Sequence, residues 1–430
     1  MLFLATIAIG TVLLSLPIAT ADGQSTAFLT ALFTSTSAVA VTGLIVVDTA
    51  TYWSPFGQVV ILLLFQIGGF GIMTAATLFG LMAGRGFGLR ERMATQVERS
   101  RLEFGDARSV LKLVLIITVI VEAIVASILT ARLYFAHDHS LGEALWHGIF
   151  HSVSAFNNAG FSSYSDSVMS YQHDGIILIP IMLSVILTAL GFPVMQDLRS
   201  NRLHWSRWSL HSKITVAGTA ILLAIGFLAI LIMEWGNPDT LGPMALGSKL
   251  LNAGFHSVMP RTAGFNSLDV GSFADETLMT NYLLMFIGGG SAGTAGGIKI
   301  TTFAVLVAIV LSEIARRRDA SVFGRRFSHA IERQALTVVS LAGALVFSAT
   351  CFLSMLTPLA FEDLLFEAIS AFSTVGLSTG ITAKLPPSGQ LVIIALMFIG
   401  RVGTITVATA LALGATPQQF RYPEENPIVG

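Results

Sequence analysis

The chain has 430 residues, of which 53% are hydrophobic and 11% are charged, and its formal net charge at pH 7 is −1. An ordinary soluble domain carries about a quarter charged residues, so this composition excludes that class and indicates an integral membrane protein. The single cysteine, Cys351, excludes a disulfide within the chain. We expect membrane lipid, and no nucleic acid, among its partners.

Eight apolar runs are long enough to cross a bilayer, which requires about 20 residues per helix. In chain order they cover residues 1–21, 55–83, 110–136, 175–196, 212–235, 276–312, 334–360 and 389–414. The first run has no basic residue before it and no evident small-residue cleavage site, so we interpret it as a retained helix and not as a signal peptide. The sequence therefore predicts an all-α integral membrane protein with eight transmembrane helices.

A short apolar segment lies between the two spans of each successive pair. These segments cover residues 26–38, 142–155, 245–257 and 362–372. They are too short to cross a membrane, and they fit re-entrant helices that turn back where the backbone lines a water-filled path. The pattern predicts four span, pore-helix and span repeats, with four re-entrant pore loops around one axial pore. The predicted repeats are residues 1–84, 85–200, 201–320 with a broken second helix, and 321–430 with a short cytoplasmic tail.

Each short segment ends near a single glycine, and the four glycines stand in matched register. Phe33, Phe150 and Phe366 each precede the glycine of their segment by ten residues, and a Ser-Ala pair precedes it by six. The third segment is one residue shorter. Glycine lets successive carbonyl oxygens turn toward an axis without a side-chain clash, so that carbonyls replace the water around a cation. The residues predicted to form this filter are Val41, Thr42, Gly43, Asn158, Ala159, Gly160, Thr262, Ala263, Gly264, Thr374, Val375 and Gly376.

The predicted filter contains no charged residue, so its coordinating groups are mainly backbone dipoles. Neutral oxygens suit potassium or rubidium better than a divalent ion, which favours carboxylates. The C-terminal ends of four short helices would add roughly half a negative charge each near the bilayer centre. The alternative is that the glycines serve close helix packing, which is common in membranes. Their matched register favours the pore-loop interpretation.

Basic residues are concentrated in the three links between the predicted repeats, which hold 17 of the 24 Lys and Arg residues. Short cytoplasmic loops are enriched in Lys and Arg, so we expect the links inside and the glycine loops outside, with both termini cytoplasmic. Acidic residues in the outer stretches would raise the cation concentration at the pore mouth. The outer stretches contain the basic residues Lys249, Arg261 and Lys384, and acidic residues that include Asp48, Asp166 and Glu367.

With the segments LFTSTSAVAVTGLIV, IFHSVSAFNNAGFSS, GFHSVMPRTAGFNSL and LFEAISAFSTVGLST, the chain resembles the Trk/Ktr/HKT superfamily of potassium transporters. The resemblance covers essentially the whole chain and is strongest to the KtrB-type membrane subunits, which lack an extra first pair of helices. It implies potassium uptake across the cytoplasmic membrane through four nonidentical loops with one glycine each. It also implies a homodimer, a cytoplasmic ring of nucleotide-binding regulatory subunits, and no cofactor in this chain. Sodium dependence is common in the Ktr branch, so sodium is a second candidate ion.

Six glycines interrupt the sixth span in the sequence FIGGGSAGTAGGIKITT, where they would break any helix. Part of this run matches the dinucleotide pattern GxGxxG, but that pattern requires a preceding strand and a soluble parallel sheet, so we do not expect a nucleotide site. The resemblance assigns residues 288–298 to an intramembrane gating loop below the filter. The predicted gate residues are Gly288, Gly289, Gly290, Gly293, Gly296, Gly297, Lys299 and Arg401.

Three of the charged residues within predicted spans lie away from the span ends and are functional candidates: Glu122, Lys299 and Arg401. Lys299 either places a repelling charge in the ion path or extends to the inner membrane surface. Arg401 would cost several kcal/mol if unpaired in the membrane, so it faces protein or water. The resemblance suggests that Arg401 is an electrostatic barrier below the filter, and the alternative is a structural role with backbone carbonyls as partners. Glu122 has no partner that the sequence identifies, and a role in binding a coupling ion is open.

His151 and His256 lie in two of the short helices, but no Cys or carboxylate stands at ligand spacing, so we expect no transition-metal site. Adjacent Ser152 and Ser257 suggest helix-start chemistry instead. No nucleophile, base and oxyanion donors stand together in the sequence, so an enzyme is not expected. The rival function is a substrate-coupled secondary solute transporter, which also uses repeats and broken helices. Four copies in the same direction favour a fixed axial pore.

Overall fold

The computed structural model describes residues 2–85, 107–202, 204–291 and 293–413, and nearly all regular structure in them is helical. Basic residues of the first link between positions 86 and 106, and the predicted cytoplasmic tail after residue 413, lie outside the described residues. The helices are α1 (Leu2–Leu14), α2 (Phe28–Val39), α3 (Thr49–Tyr52), α4 (Pro55–Arg85), α5 (Ala107–Ala136), α6 (Leu141–Asn157), α7 (Gly175–Leu190), α8 (Phe192–Asn201), α9 (Leu210–Met233), α10 (Leu246–Val258), α11 (Asp275–Phe286), α12 (Ile300–Ile314), α13 (His329–Leu356), α14 (Phe361–Phe372) and α15 (Pro387–Leu413).

The four short helices α2, α6, α10 and α14 begin and end within two residues of the predicted re-entrant segments. Helix α6 starts at a capping box, in which the Ser140 hydroxyl accepts from Glu143 N and the Glu143 carboxylate accepts from Ser140 N. Each short helix packs against the long helix that precedes it. At the position shared by the four segments, a fully buried phenylalanine anchors the short helix: Phe33, Phe150, Phe255 and Phe366.

Four described helices are long and apolar enough to cross a membrane, over Pro55–Thr74, Lys112–Ala136, Leu210–Met233 and His329–Leu356. Helices α7 and α8 make a fifth candidate if the pair is one bent span. Four other helices give apolar stretches of 10–17 residues, over Phe3–Leu14, Phe28–Val39, Ile300–Ile314 and Pro387–Gly403. The fold is therefore helical with several membrane-spanning helices, and the total of eight spans stays a prediction.

Large apolar side chains are exposed along the outer faces of these helices. In α5 they include Leu115, Val119 and Ile124, and elsewhere Phe135 and Met355 are 80% and 81% exposed. Soluble monomers rarely present such extended apolar patches to water. Lipid tails are as apolar as these side chains, so the exposed faces fit a protein that is solvated by a bilayer.

Two predicted spans are not continuous helices. The run at 175–196 is divided at Gly191, which adopts φ +85°, and α7 and α8 meet at an angle of 92°. Pro193 lies in the first turn of α8, where its missing N–H costs no hydrogen bond. The run at 276–312 is divided after Phe286, as the six glycines predict, and helix resumes at Ile300.

Two smaller differences from the sequence expectations concern the end of α1 and the link before α13. Helix α1 ends at Leu14 and not near residue 21, because Pro17 begins a 3-10 turn. The third link contains a β-hairpin of β1 (Ser321–Val322) and β2 (Arg325–Arg326) in an otherwise helical chain. Its two turn residues both have positive φ, as a two-residue hairpin turn of type I′ requires.

Candidate functional site

The loops that follow α2, α6, α10 and α14 meet one another at their glycines. Gly43, Gly160, Gly264 and Gly376 have φ values of +94°, +70°, +69° and +94°. A Cβ atom built on Gly264 would lie 3.2 Å from the Cα atom of Gly160 and 3.1 Å from that of Gly376. Backbone from different loops therefore approaches within van der Waals contact, and the left-handed conformation at each position favours glycine.

Each glycine packs against the carbonyl oxygen of the residue that precedes the glycine of the next loop. The glycine and carbonyl pairs are Gly43 with Ala159, Gly160 with Ala263, Gly264 with Val375, and Gly376 with Thr42. A built Cβ atom would lie 2.5, 2.9 and 2.6 Å from the oxygen in the first three pairs and closer still in the fourth. These contacts run from the first loop to the second, third and fourth and back to the first. The four loops form a closed ring that excludes side chains at its glycines.

The residue two positions before each glycine also lies in the left-handed region. Its φ is +55° at Val41, +59° at Asn158, +76° at Thr262 and +50° at Thr374. For β-branched valine and threonine this conformation is a genuine outlier, and such strain costs on the order of 1–3 kcal/mol per residue. Strained backbone persists only where its surroundings fix it and is concentrated at functional sites.

The serine shared by three of the loops holds its loop through backbone and side chain. Its carbonyl accepts from the residue before the glycine at 2.8 Å in each case, in the pairs Ser37 with Thr42, Ser154 with Ala159, and Ser370 with Val375. Its hydroxyl accepts from Gly43 N at 3.1 Å and from Gly376 N at 3.2 Å, whereas Ser154 donates to Phe161 O at 2.7 Å. The shorter third loop has Val258 at this position.

His151 and His256, which directly follow the buried phenylalanines of their short helices, brace the chain just after the glycines. His151 Nε2 lies 2.9 Å from Ser162 Oγ, and His256 Nε2 accepts from Leu268 N at 3.1 Å. Both residues lie well inside their helices, so the helix-start interpretation is wrong. Among the residues that the structure describes, no group of three or more His, Cys, Asp or Glu is placed to hold a metal ion.

Glu367 is the counterpart of the two histidines in the fourth segment. Sequence position groups it with the outer acidic residues, but it is fully buried. Its carboxyl accepts from Thr382 Oγ1, while the Oε2 atom has no partner among the described residues. Glu367 thus fastens the chain beyond the fourth glycine to the short helix α14. The sequence signal that could have identified Glu367 is its position directly after the buried phenylalanine, which it shares with His151 and His256.

A cavity of about 280 Å³ lies against one side of the ring and is lined by all four glycines. Asp48 and Asp166 also line it. The Asp48 carboxylate accepts from Ala50 N at 2.9 Å, and that of Asp166 accepts from Ser170 N at 2.8 Å. Two carboxylates in a concave mouth raise the local concentration of cations.

The glycine-rich loop, residues 288–298, lies against the fourth loop of the ring. Its ends are held together by bonds from Gly288 N to Ile298 O at 2.9 Å and from Ile298 N to Phe286 O at 3.1 Å. In its first part, Gly290 N donates to Ala189 O at 2.7 Å, at the break between α7 and α8. In its last part, Gly296 packs directly against the backbone of Ser373 and the hydroxyl of Thr374 in the fourth loop of the ring, and a side chain there would collide with them.

The loop's carbonyl oxygens accept hydrogen bonds from cationic side chains. Arg401 Nη1 donates to Thr294 O, and Lys299 Nζ donates to Ala295 O. Arg401 is 4% exposed, and its Nε and Nη2 atoms have no partner in the described part of the chain. No carboxylate there lies within ion-pair distance of either cation. Two positive charges thus remain uncompensated by acids beside the loop.

A third cation is Arg261, which we expected from its sequence position to lie among the outer basic residues. The structure buries it to 2% exposure and directs its guanidinium to Gly288 O. Arg261 lies close to Gly264 in the sequence, and this proximity is the signal that could have identified it as a residue of the site. The remaining membrane charge, Glu122, lies within hydrogen-bond reach of Gln66, whose side chain accepts from Asn157 Nδ2 at the end of α6.

Comparison with known proteins gives a consistent result over the whole chain. The family model TrkH, described as cation transport protein, matches residues 3–421. The Ktr system potassium uptake protein B of Bacillus subtilis is 41% identical over 428 residues, which cover 100% of this chain and 95% of that protein. The potassium/sodium uptake protein NtpJ of Enterococcus hirae is 37% identical over 437 residues, with 100% and 95% covered.

A solved structure is similar in fold. The crystal structure of the potassium transporter TrkH from Vibrio parahaemolyticus superposes with a TM-score of 0.73 at 19% sequence identity. The match covers 96% of this chain and 84% of that one. At this level of identity the likeness concerns the helical fold alone.

Proposed function

The chain belongs to the TrkH family of cation transport proteins, and from this premise we propose that it carries potassium ions into the cell across the cytoplasmic membrane. The observation that carries the proposal is the closed ring of four glycine loops. In the proposal this ring is the selectivity filter, and the four short helices are re-entrant pore helices of four repeats around one axial pore.

In this mechanism, a dehydrated potassium ion is held by backbone carbonyl oxygens of the filter loops. The contacts between Gly43 and Ala159 O and between Gly264 and Val375 O support it, because each oxygen lies at a junction between neighbouring loops. The strained residue two positions before each glycine fixes the direction in which the following peptide points. The chemistry is coordination and release, with no covalent step, so the chain is a transporter and not an enzyme.

The glycine-rich loop is the gate in this proposal. It packs against the fourth filter loop at Gly296, where it would obstruct an ion that leaves the filter. Lys299 and Arg401 place positive charge at the same point, which opposes the passage of a cation. Displacement of the loop would remove the obstruction and break the bonds that hold Arg401 and Lys299 beside it, so that both side chains could leave the ion path. A loop held by neutral carbonyls and a few long side chains is suited to such movement.

The cavity that contains Asp48 and Asp166 is the outer entrance in this proposal. The basic links then lie in the cytoplasm with both termini, in agreement with the enrichment of Lys and Arg in cytoplasmic loops. We further propose that the chain works with a partner subunit, because relatives are named as parts of a Ktr system. A homodimer and a cytoplasmic ring of nucleotide-binding regulatory subunits belong to the same proposal, as the resemblance to KtrB-type subunits implies. Sodium is proposed as a second ion, since one relative is named for potassium and sodium.

The test is uptake of radioactive rubidium into liposomes that contain the purified protein, with potassium, sodium or lithium as competitor. Strong suppression by potassium and weak suppression by sodium and lithium is the expected result. Protein-free liposomes and a valinomycin control establish leak and vesicle integrity. Absence of cation uptake, with a regulatory subunit also supplied, would refute the proposal and favour a solute transporter.

A further inference from the structure

Arg261 joins the filter ring to the glycine-rich loop. It lies three residues before Gly264, and its guanidinium Nη2 donates to Gly288 O at 3.4 Å and to Thr219 Oγ1 at 3.3 Å. Gly288 is the first residue of the glycine-rich loop, and Thr219 belongs to the neighbouring helix α9. The third loop of the ring is thus bonded directly to the start of the loop below it.

Stability does not account for a guanidinium at this place. In the described part of the chain, no carboxylate lies within ion-pair distance of Arg261, and its Nε atom has no partner. Arginine stays charged in proteins, and two neutral acceptors at these long distances offset only part of the cost of its burial. A charge within a membrane protein that lacks an acidic partner marks a functional position by default.

Gly288 differs in its surroundings from the glycines at the same position of the first and fourth repeats. The sequences FQIGG, MFIGG and MFIGR place Gly68, Gly288 and Gly400 at one position of their second spans. Gly68 packs against Val39 O at the end of α2, and Gly400 packs against Phe372 O at the end of α14. In both cases the glycine lies within a continuous helix, α4 or α15. The short helix is then in contact with an unbroken span.

In the third repeat the span is broken at this position, because α11 ends at Phe286. The carbonyl of Gly288 therefore lies past the end of a helix, where a cation is favourable. Arg261 supplies that cation and a hydrogen-bond donor from the side of the filter. The arrangement replaces the helix contact of the first and fourth repeats with a bond that can be broken.

We propose that Arg261 is a positioning residue that holds the glycine-rich loop closed from the filter side and couples the third filter loop to the gate. The inference rests on the proposed function. If the loop opens, the bond to Gly288 O is lost; if the third loop shifts with ion occupancy, the bond shifts with it. Removal of the guanidinium frees the loop and also removes one positive charge from its surroundings.

The experiment measures rubidium uptake by Arg261→Gln and Arg261→Met in the full chain without a regulatory subunit. Because both bonds of Arg261 are long, we expect each variant to raise the initial rate by about threefold to tenfold, which is the range for one ordinary hydrogen bond. Methionine is the second variant because an apolar side chain of similar length often replaces a buried charge without loss of stability. Arg333→Gln, at an exposed arginine of the third link, is the matched control and should leave uptake unchanged.

The same substitutions are then made in a chain that lacks residues 289–296. A residue that acts through the loop has no further effect once the loop is absent, and the preference for potassium over sodium stays constant throughout. An unchanged rate in folded Arg261 variants, an equal effect in the deleted chain, a changed ion preference, or failure of both variants to fold would overturn the inference. Absence of uptake by both the wild type and the deleted chain would instead refute the proposed function.

Discussion

Substitution of Gly43 by alanine tests the filter ring most directly. Gly43 has φ +94°, and a Cβ atom at this position would lie 2.5 Å from Ala159 O and 3.1 Å from the Cα atom of Gly160. An ordinary contact is roughly 3.5 Å, so the second loop must move by about 1 Å to admit one methyl group. The substitution therefore displaces a proposed coordinating oxygen without adding a charge or a polar group.

Gly380 provides a matched control in the fourth loop. Its φ is +88°, close to that of Gly43, and a Cβ atom there would meet nothing within 4 Å. Alanine in the left-handed region costs about 1–2 kcal/mol at either position. Both variants should lose this stability, but only Gly43→Ala should change the ring. A difference in ion preference between them isolates the steric effect from the backbone strain.

The assay is competition of potassium and sodium against rubidium uptake in proteoliposomes, with folding checked by size-exclusion chromatography and thermal unfolding. We expect Gly43→Ala to reduce the preference for potassium over sodium by at least about tenfold, which corresponds to about 1.4 kcal/mol. Gly380→Ala should retain the preference of the wild type. An unchanged preference in folded Gly43→Ala, or an equal change in both variants, would refute the assignment of the ring as the filter.

Three further predictions concern the glycine-rich loop, Arg401 and the buried carboxylate Asp174. Deletion of residues 289–296, whose flanking glycines nearly touch, should raise rubidium uptake without a regulatory subunit; unchanged or lower uptake by a folded deletion would contradict gating. Arg401→Met removes the donor to Thr294 O and should raise uptake severalfold with the same ion preference, which a reduced rate in folded protein would contradict. Burial alone would raise the pKa of Asp174, but hydrogen bonds from His137 and Arg132 hold that pKa below its usual value. The stability that the ionised Asp174 contributes is therefore present above about pH 4 and is lost as the pH falls further. Asp174→Asn should therefore lower the melting temperature at pH 7 and have little effect near pH 3; an equal loss at both pH values would contradict this.

The register of the four segments could be predicted because it depends on local requirements. A glycine with positive φ, a serine that bonds to its own loop, and a buried phenylalanine each impose one residue type at one spacing. The sequence thus locates all four short helices to within two residues. The cyclic order in which the loops touch could not be predicted, because it depends on the packing of whole repeats.

The break between α7 and α8 is a feature of the fold that mean hydropathy along the sequence does not predict. The run at 175–196 is continuously apolar, and an average over it contains no sign of a 92° bend. The bend depends on one residue, Gly191 at φ +85°, followed by Pro193. Glycine and proline in this order are a turn signal, but hydrophobic periodicity does not register it. The break matters because the glycine-rich loop bonds there, to Ala189 O.

The three cations that have no acidic partner among the described residues come together only in the folded chain. Arg261, Lys299 and Arg401 come from three separate segments, and each donates to a different carbonyl of the same loop. Each cation is costly alone in a membrane, and like charges beside one loop add repulsion. An arrangement selected for stability alone would replace them with apolar residues. Their positions are explained if the closed loop must be both held and readily released, since hydrogen bonds to carbonyls stabilise closure while mutual repulsion limits it. Removal of one cation loses one bond that holds the loop and one positive charge beside the ion path, and we expect these losses to outweigh the relief of repulsion. Neutral substitutions at the three positions should therefore each raise transport.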